Sequence, residues 1–126
     1  MSGYAGDGQA KLLNVTQQGY FWASETVTVG ELSIGFELSR TTSMYYPWGF
    51  AVEVQFSGNP GTFEIDIMGA ETDAKNNYVK LGSITATNAT FVGRFEGLTY
   101  YPRYVALYVT SLGNAGTVSV SGKVTR

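Results

Sequence analysis

The chain has no cysteine and no histidine among its 126 residues. Disulfide frameworks, thiolate nucleophiles, imidazole acid–base chemistry and most zinc or copper sites are therefore excluded by inspection. A serine triad is excluded for the same reason, and no Ser, Thr or Lys lies in a motif that would activate it. Charge is also sparse. Eight Lys and Arg against ten Asp and Glu give a net charge of -2, with the basic residues scattered, so there is no phosphate-binding stripe and no nucleic-acid partner is expected. No apolar run is long enough for a membrane-spanning helix, and the first twenty residues lack the basic start and apolar centre of a secretory signal, so a chain made in the cytoplasm, or one already trimmed, is expected. Only three prolines are present, against 16 glycines and an aromatic content of 14%, a balance suited to a close-packed β-protein with many turns.

What is present is alternation. Phe50, Val52, Val54 and Phe56 share one face of a strand and Ala51, Glu53 and Gln55 the other; after Gly58-Asn59-Pro60-Gly61, Phe63, Ile65 and Ile67 alternate with Glu64 and Asp66. Pro60 presets one turn position and Gly61 tolerates the positive φ of the next. The pattern predicts a hairpin in which Phe56 faces Phe63, Val54 faces Ile65 and Val52 faces Ile67. Further strands are expected at Leu12–Thr16, at Leu32–Leu38, where Leu32, Ile34, Phe36 and Leu38 share a face, at Tyr78–Ile84 and at Phe91–Glu96. In the next, Val105, Leu107 and Val109 oppose an aromatic face of Tyr104, Ala106 and Tyr108. The last run, Val118 to Val124, is predicted to fold back on it, with Val109 opposite Val118 and Leu107 opposite Val120. No window shows capped helical spacing. The expected fold is all-β, an antiparallel, jelly-roll-like β-sandwich of eight or nine strands. It forms a single domain over residues 11–126, preceded by a flexible Gly-rich arm over residues 1–10.

No catalytic residue, cofactor site or metal site is assigned. Glu64 and Asp66, two apart on a polar strand face, suit a carboxylate pair, and Glu71 and Asp73 in the following loop extend the set toward a calcium site; a solvated strand face is the reading favoured for them. The aromatics are more suggestive. Gly19-Tyr20-Phe21-Trp22 places three rings in a row, which a two-faced strand cannot bury on one side. Tyr45, Tyr46 and Trp48, with Tyr100 and Tyr101, either cap the open ends of the sandwich, anchor a protein interface, or form a platform for sugar rings. Tyr4 is the only large apolar side chain before Leu12 apart from Met1, and would anchor the arm on a neighbouring subunit. The candidate interface residues are thus Tyr4, Tyr20, Trp22, Tyr45, Tyr46, Trp48, Tyr100 and Tyr101.

Three stretches carry a family resemblance: Thr62-Phe63-Glu64-Ile65-Asp66-Ile67-Met68-Gly69-Ala70, the run from Pro102 to Thr110, and Ala115 to Lys123. Through them the second half, Gly61 to Arg126, resembles the β-sandwich virion proteins of tailed bacteriophages, head decoration and auxiliary modules among them. The same alternation is similar to that of discoidin-like and other carbohydrate-binding sandwiches. The phage resemblance implies a non-enzymatic virion component, bound to other virion subunits and to itself as a homo-oligomer. The other resemblance implies a carbohydrate-binding or receptor-binding domain.

Overall fold

Alternating residues become strands wherever one face meets a core. The computed structural model describes residues 10–13, 18–38, 51–87, 91–96, 102–114 and 119–125. Among them nine strands form: β1 (Lys11–Leu13), β2 (Gln18–Glu25), β3 (Phe36–Leu38), β4 (Ala51–Phe56), β5 (Thr62–Ala70), β6 (Val79–Thr87), β7 (Phe91–Glu96), β8 (Tyr104–Leu112) and β9 (Val120–Thr125). They make a five-stranded sheet in the order β1-β3-β8-β5-β6 and a four-stranded sheet in the order β2-β9-β4-β7. Every pairing is antiparallel except β1 with β3, which is parallel. The fold is the expected all-β sandwich. Its core joins Val52, Val54, Phe56, Val120 and Val124 of one sheet to Phe63, Ile65, Ile67, Val105, Leu107 and Val109 of the other. Residues 1–9 of the predicted arm, residues 40–48, and with them Tyr4, Tyr45, Tyr46 and Trp48, as well as Tyr100, Tyr101 and Val118, lie outside the described residues.

The two predicted hairpins are corrected by the topology. β4 pairs with β7 and β9, whereas β5 pairs with β6 and β8, so the Gly58-Asn59-Pro60-Gly61 turn carries the chain from one sheet to the other. Phe56 and Phe63 do meet, but across the sandwich, with ring centroids 4.7 Å apart. The turn itself is built as the residues suggest: Gly61 has φ 72°, and its amide donates to Asn59 Oδ1 at 2.9 Å. It is tied to the Gly113-Asn114 turn, whose amides donate to Thr62 O and Pro60 O, both at 2.9 Å. β8 and β9 likewise lie in different sheets, and Val120 is the cross-strand partner of Phe56, not of Leu107. In both connections the apolar faces point into the core, as they would in a hairpin.

β2 resolves the row of three aromatics with bulges. Its register against β9 slips between Tyr20 and Trp22 and again between Trp22 and Glu25. The extra residue lets consecutive side chains turn to the same side. Phe21 and Trp22 are both buried, at 0% and 2% exposure, while Tyr20 stays 50% exposed. Ser24, just beyond, takes a left-handed φ of 53°, with its amide and hydroxyl both against Ser121 Oγ.

The predicted strand Leu32–Leu38 is regular only over β3, and the interruption is Ser33. Its amide donates to Leu107 O, its hydroxyl accepts from Leu107 N at 2.9 Å, and the same hydroxyl donates to Ile34 O. A side chain thus replaces one rung of the ladder, and the alternation slips. Ile34, Phe36 and Leu38 enter the inter-sheet core, whereas Leu32 joins a second apolar cluster on the opposite face of the sheet.

Candidate functional site

The outer face of the five-stranded sheet carries the chemistry. β8 is inward at Val105, Leu107 and Val109, so Tyr104, Ala106 and Tyr108 face out, as the aromatic face read from the sequence requires. On β5 the outward positions beside them are Met68 and Ala70, which are the cross-strand partners of Ala106 and Tyr104. These residues pack with Leu32 and Tyr78 into the second cluster.

Two short segments wall this patch. On one side the chain turns at Val29-Gly30: Glu31 N donates to Thr28 O at 3.1 Å, Gly30 N to Val109 O at 2.7 Å, and Val109 N returns a bond to Glu31 O at 3.0 Å. On the other a 3-10 turn (Lys75–Asn77) is closed by Asn77 N on Ala74 O at 2.8 Å, and Tyr78 Oη donates to Asp73 at 2.7 Å just after it. Between the walls lies a cleft of about 430 Å³, lined by Thr28, Glu31, Met68, Lys75, Asn76 and Tyr108 together with their neighbours.

Glu31 is held from behind. Burial raises its pKa above the ordinary carboxylate value, offset in part by hydrogen bonds from the Thr28 backbone and the Trp22 indole, while Glu25 nearby pushes it up further. A raised folded-state pKa means that the fold holds the proton more tightly than the unfolded chain does. Its stabilising effect is full at pH below the unfolded value, about 4.3, and is lost as pH rises through the folded value. The melting temperature of Glu31→Gln minus that of the parent is therefore expected to rise between acid and neutral pH. A difference that stays flat across a pH series of thermal scans would contradict this account.

Beyond the aromatic patch the same face turns polar. Lys80 Nζ lies 3.5 Å from Glu64 Oε2 and 3.5 Å from Asp66 Oδ1. Asp66 is not part of a solvated face, as the sequence suggested. It is 7% exposed, takes a hydrogen bond from Thr110 on Oδ2 at 2.8 Å, and has no hydrogen-bond partner on Oδ1. Asp73 is engaged with Tyr78, away from this pair. Among the described residues no three His, Cys, Asp or Glu side chains converge as a metal site. At the far end of β8, Arg103 Nε bonds Glu37 at 2.9 Å and the guanidinium lies 5.4 Å from the Tyr104 ring centroid. The Tyr104 phenol is raised in pKa chiefly by its hydrogen bond to Glu37.

A second feature lies at a lateral edge. Among the described residues β1 and β2 are the edge strands of their sheets, and between them a recess of about 520 Å³ is lined by Leu12, Leu13, Gly19, Tyr20 and Phe36, with Lys11 and Gln18 at its rim. Leu12 is 55% exposed there. Of the aromatics singled out in the sequence, Tyr20 is thus placed on an accessible apolar edge. Trp22 is not: it belongs to the core, where its indole N–H finds Glu31, so it cannot serve as a surface anchor. Glu31, Lys75 and Asn76 were not visible as site residues, because Glu31 reads as a polar position of the Leu32–Leu38 alternation and Lys75-Asn76 as a turn, in segments more than forty positions apart. No protein-family model matches the chain, and neither a curated protein nor a solved structure matches it.

Proposed function

We propose that the chain is a non-enzymatic structural protein of a bacteriophage particle, a capsid decoration or auxiliary component or a related virion part, working through protein–protein contacts with itself and with other virion subunits. It is made in the host cytoplasm and ends in the virion. The setting rests on the resemblance of residues 61–126 to phage sandwich proteins. The observation that carries the contact role is the recess between β1 and β2, where Leu12 and Tyr20 present apolar surface at a sheet edge beside an accessible Phe36-lined hollow. Exposed edges of this kind are what a neighbouring subunit covers, and tyrosine is among the residues enriched in interface cores.

The test is the double variant Leu12→Asp, Tyr20→Ser. Both side chains are about half exposed, so the monomer should lose no more than about 0.5 kcal/mol. Loss of two interface anchors should weaken association by about 2 kcal/mol or more, at least thirty-fold in Kd. Size-exclusion with light scattering on the full chain should show concentration-dependent association, and the variant should run as a folded monomer. A parent chain that is strictly monomeric and binds no assembled shell would contradict the proposal.

A further inference from the structure

The cleft on the outer face of the five-stranded sheet is separate from the edge recess and has a different character. Its floor is soft and apolar, with Met68 and a half-buried Tyr108, and its rim holds a carboxylate, an ammonium, a carboxamide and a hydroxyl from Glu31, Lys75, Asn76 and Thr28. The walls are fixed by the backbone bonds of the 28–31 turn and of the 3-10 turn, and the Glu31 carboxylate is oriented by the Trp22 indole and by Thr28. A volume of about 430 Å³ lies within the span of small-ligand sites, about 300–1,000 Å³.

From this geometry we infer that the cleft binds a neutral saccharide, with Met68 and Tyr108 beneath the sugar ring and Glu31, Lys75 and Asn76 at its hydroxyls.

The chemistry narrows to that class in three steps. Glu31 and Lys75 sit on opposite walls and cancel in charge, so neither a phosphate nor a carboxylate ligand gains a net field, and a cation meets the ammonium. A purely apolar ligand would leave the rim groups desolvated without partners, at a cost. A pyranose has what remains: a face of C–H bonds that lies on an aromatic or thioether surface, and a periphery of hydroxyls that both donate and accept. Glu31 accepts, Lys75 donates, and Asn76 does either, so adjacent hydroxyls on one ring can be satisfied from both walls. This role does not depend on the particle reading, and the Leu12→Asp, Tyr20→Ser variant should bind sugar as the parent does.

The probes are the methyl glycosides of glucose, galactose, mannose and N-acetylglucosamine, titrated into the full chain while its amide NMR signals are followed, with glycerol at matched concentration as the polyol control. At least one glycoside should give saturable millimolar binding, with shifts concentrated at Glu31, Met68, Asn76 and Tyr108, and glycerol should give none. Tyr108→Ala should weaken that binding at least tenfold. Asn76→Ala, in the exposed 3-10 turn, should weaken it several-fold without moving the melting temperature. The inference is overturned if no glycoside shifts these amides saturably, if glycerol reproduces the shifts, or if folded Tyr108→Ala binds as the parent does. Should Tyr108→Ala fail to fold, unchanged binding by Asn76→Ala overturns it instead.

Discussion

Trp22→Ala is expected to cost about 3–5 kcal/mol of folding stability, the largest effect of any single substitution considered. The side chain is 2% exposed and sits in the inter-sheet core with Phe21 beside it. Truncation removes the transfer free energy of an indole and leaves a cavity that two hydrogen-bonded sheets cannot collapse to fill. It also takes away the indole N–H that bonds Glu31, leaving a partly buried carboxylate with less to offset its desolvation. Against a total of about 5–15 kcal/mol for a domain, the loss should bring the variant close to unfolding at room temperature. Chemical denaturation of parent and variant measures it. Trp22→Phe should fall between the two, since a ring is restored without the donor. Tyr20→Ala, at a half-exposed site two residues away, should change little. A Trp22→Ala protein that unfolds at the parent's denaturant concentration would return Trp22 to the surface and remove the bulge-based account of β2.

Gly122→Val should be the second largest, at about 1–3 kcal/mol or somewhat more. Gly122 lies in β9 opposite both Trp22 of β2 and Val54 of β4. A Cβ there would come 2.9 Å from Leu107 Cδ1 and 3.3 Å from Trp22 Cε3. The Leu107 methyl ends a flexible side chain, but one with 0% exposure, so any rotation drives it into other core atoms. The backbone at Gly122 needs no left-handed φ, so the glycine is there for space and not for conformation. Valine adds two methyls beyond that Cβ and has a stiff χ1. Gly122→Ala should give a smaller loss in the same direction, and the ordering parent, Ala, Val in urea midpoints is the readout. Equal stability for all three would mean that the sheets do not close as tightly as described.

Both predictions rest on features that the sequence expresses unequally. Strand positions were legible because alternation is local: Phe63, Ile65, Ile67, Val105, Leu107 and Val109 are inward as read. The partners of β4 and β5 were not, for a geometric reason. A hairpin puts the apolar faces of its arms side by side in one sheet, and a connection between sheets puts them face to face, so the inward residues are the same in both. Only hydrogen-bond partners tell them apart, and those are set by residues far along the chain. Trp22 and Leu32 were misread for a related reason. A period-two argument holds until the ladder is interrupted, and the bulges of β2 and the side-chain rung at Ser33 are marked by nothing stronger than a serine or a crowded run of rings. The Tyr104-Ala106-Tyr108 face was legible as an aromatic strand face, with no site assigned to it. Its walls were not, because Glu31, Lys75 and Asn76 reach it from turns whose sequence specifies the turn and not its neighbour.

The proposed attachment to a phage particle is tested most directly by co-sedimentation with tailed-phage particles prepared without the chain. Binding is predicted to saturate at a fixed number of copies per particle, and the Leu12→Asp, Tyr20→Ser variant is predicted to stay in the supernatant while remaining folded. A parent chain that stays in the supernatant at every concentration would contradict the account.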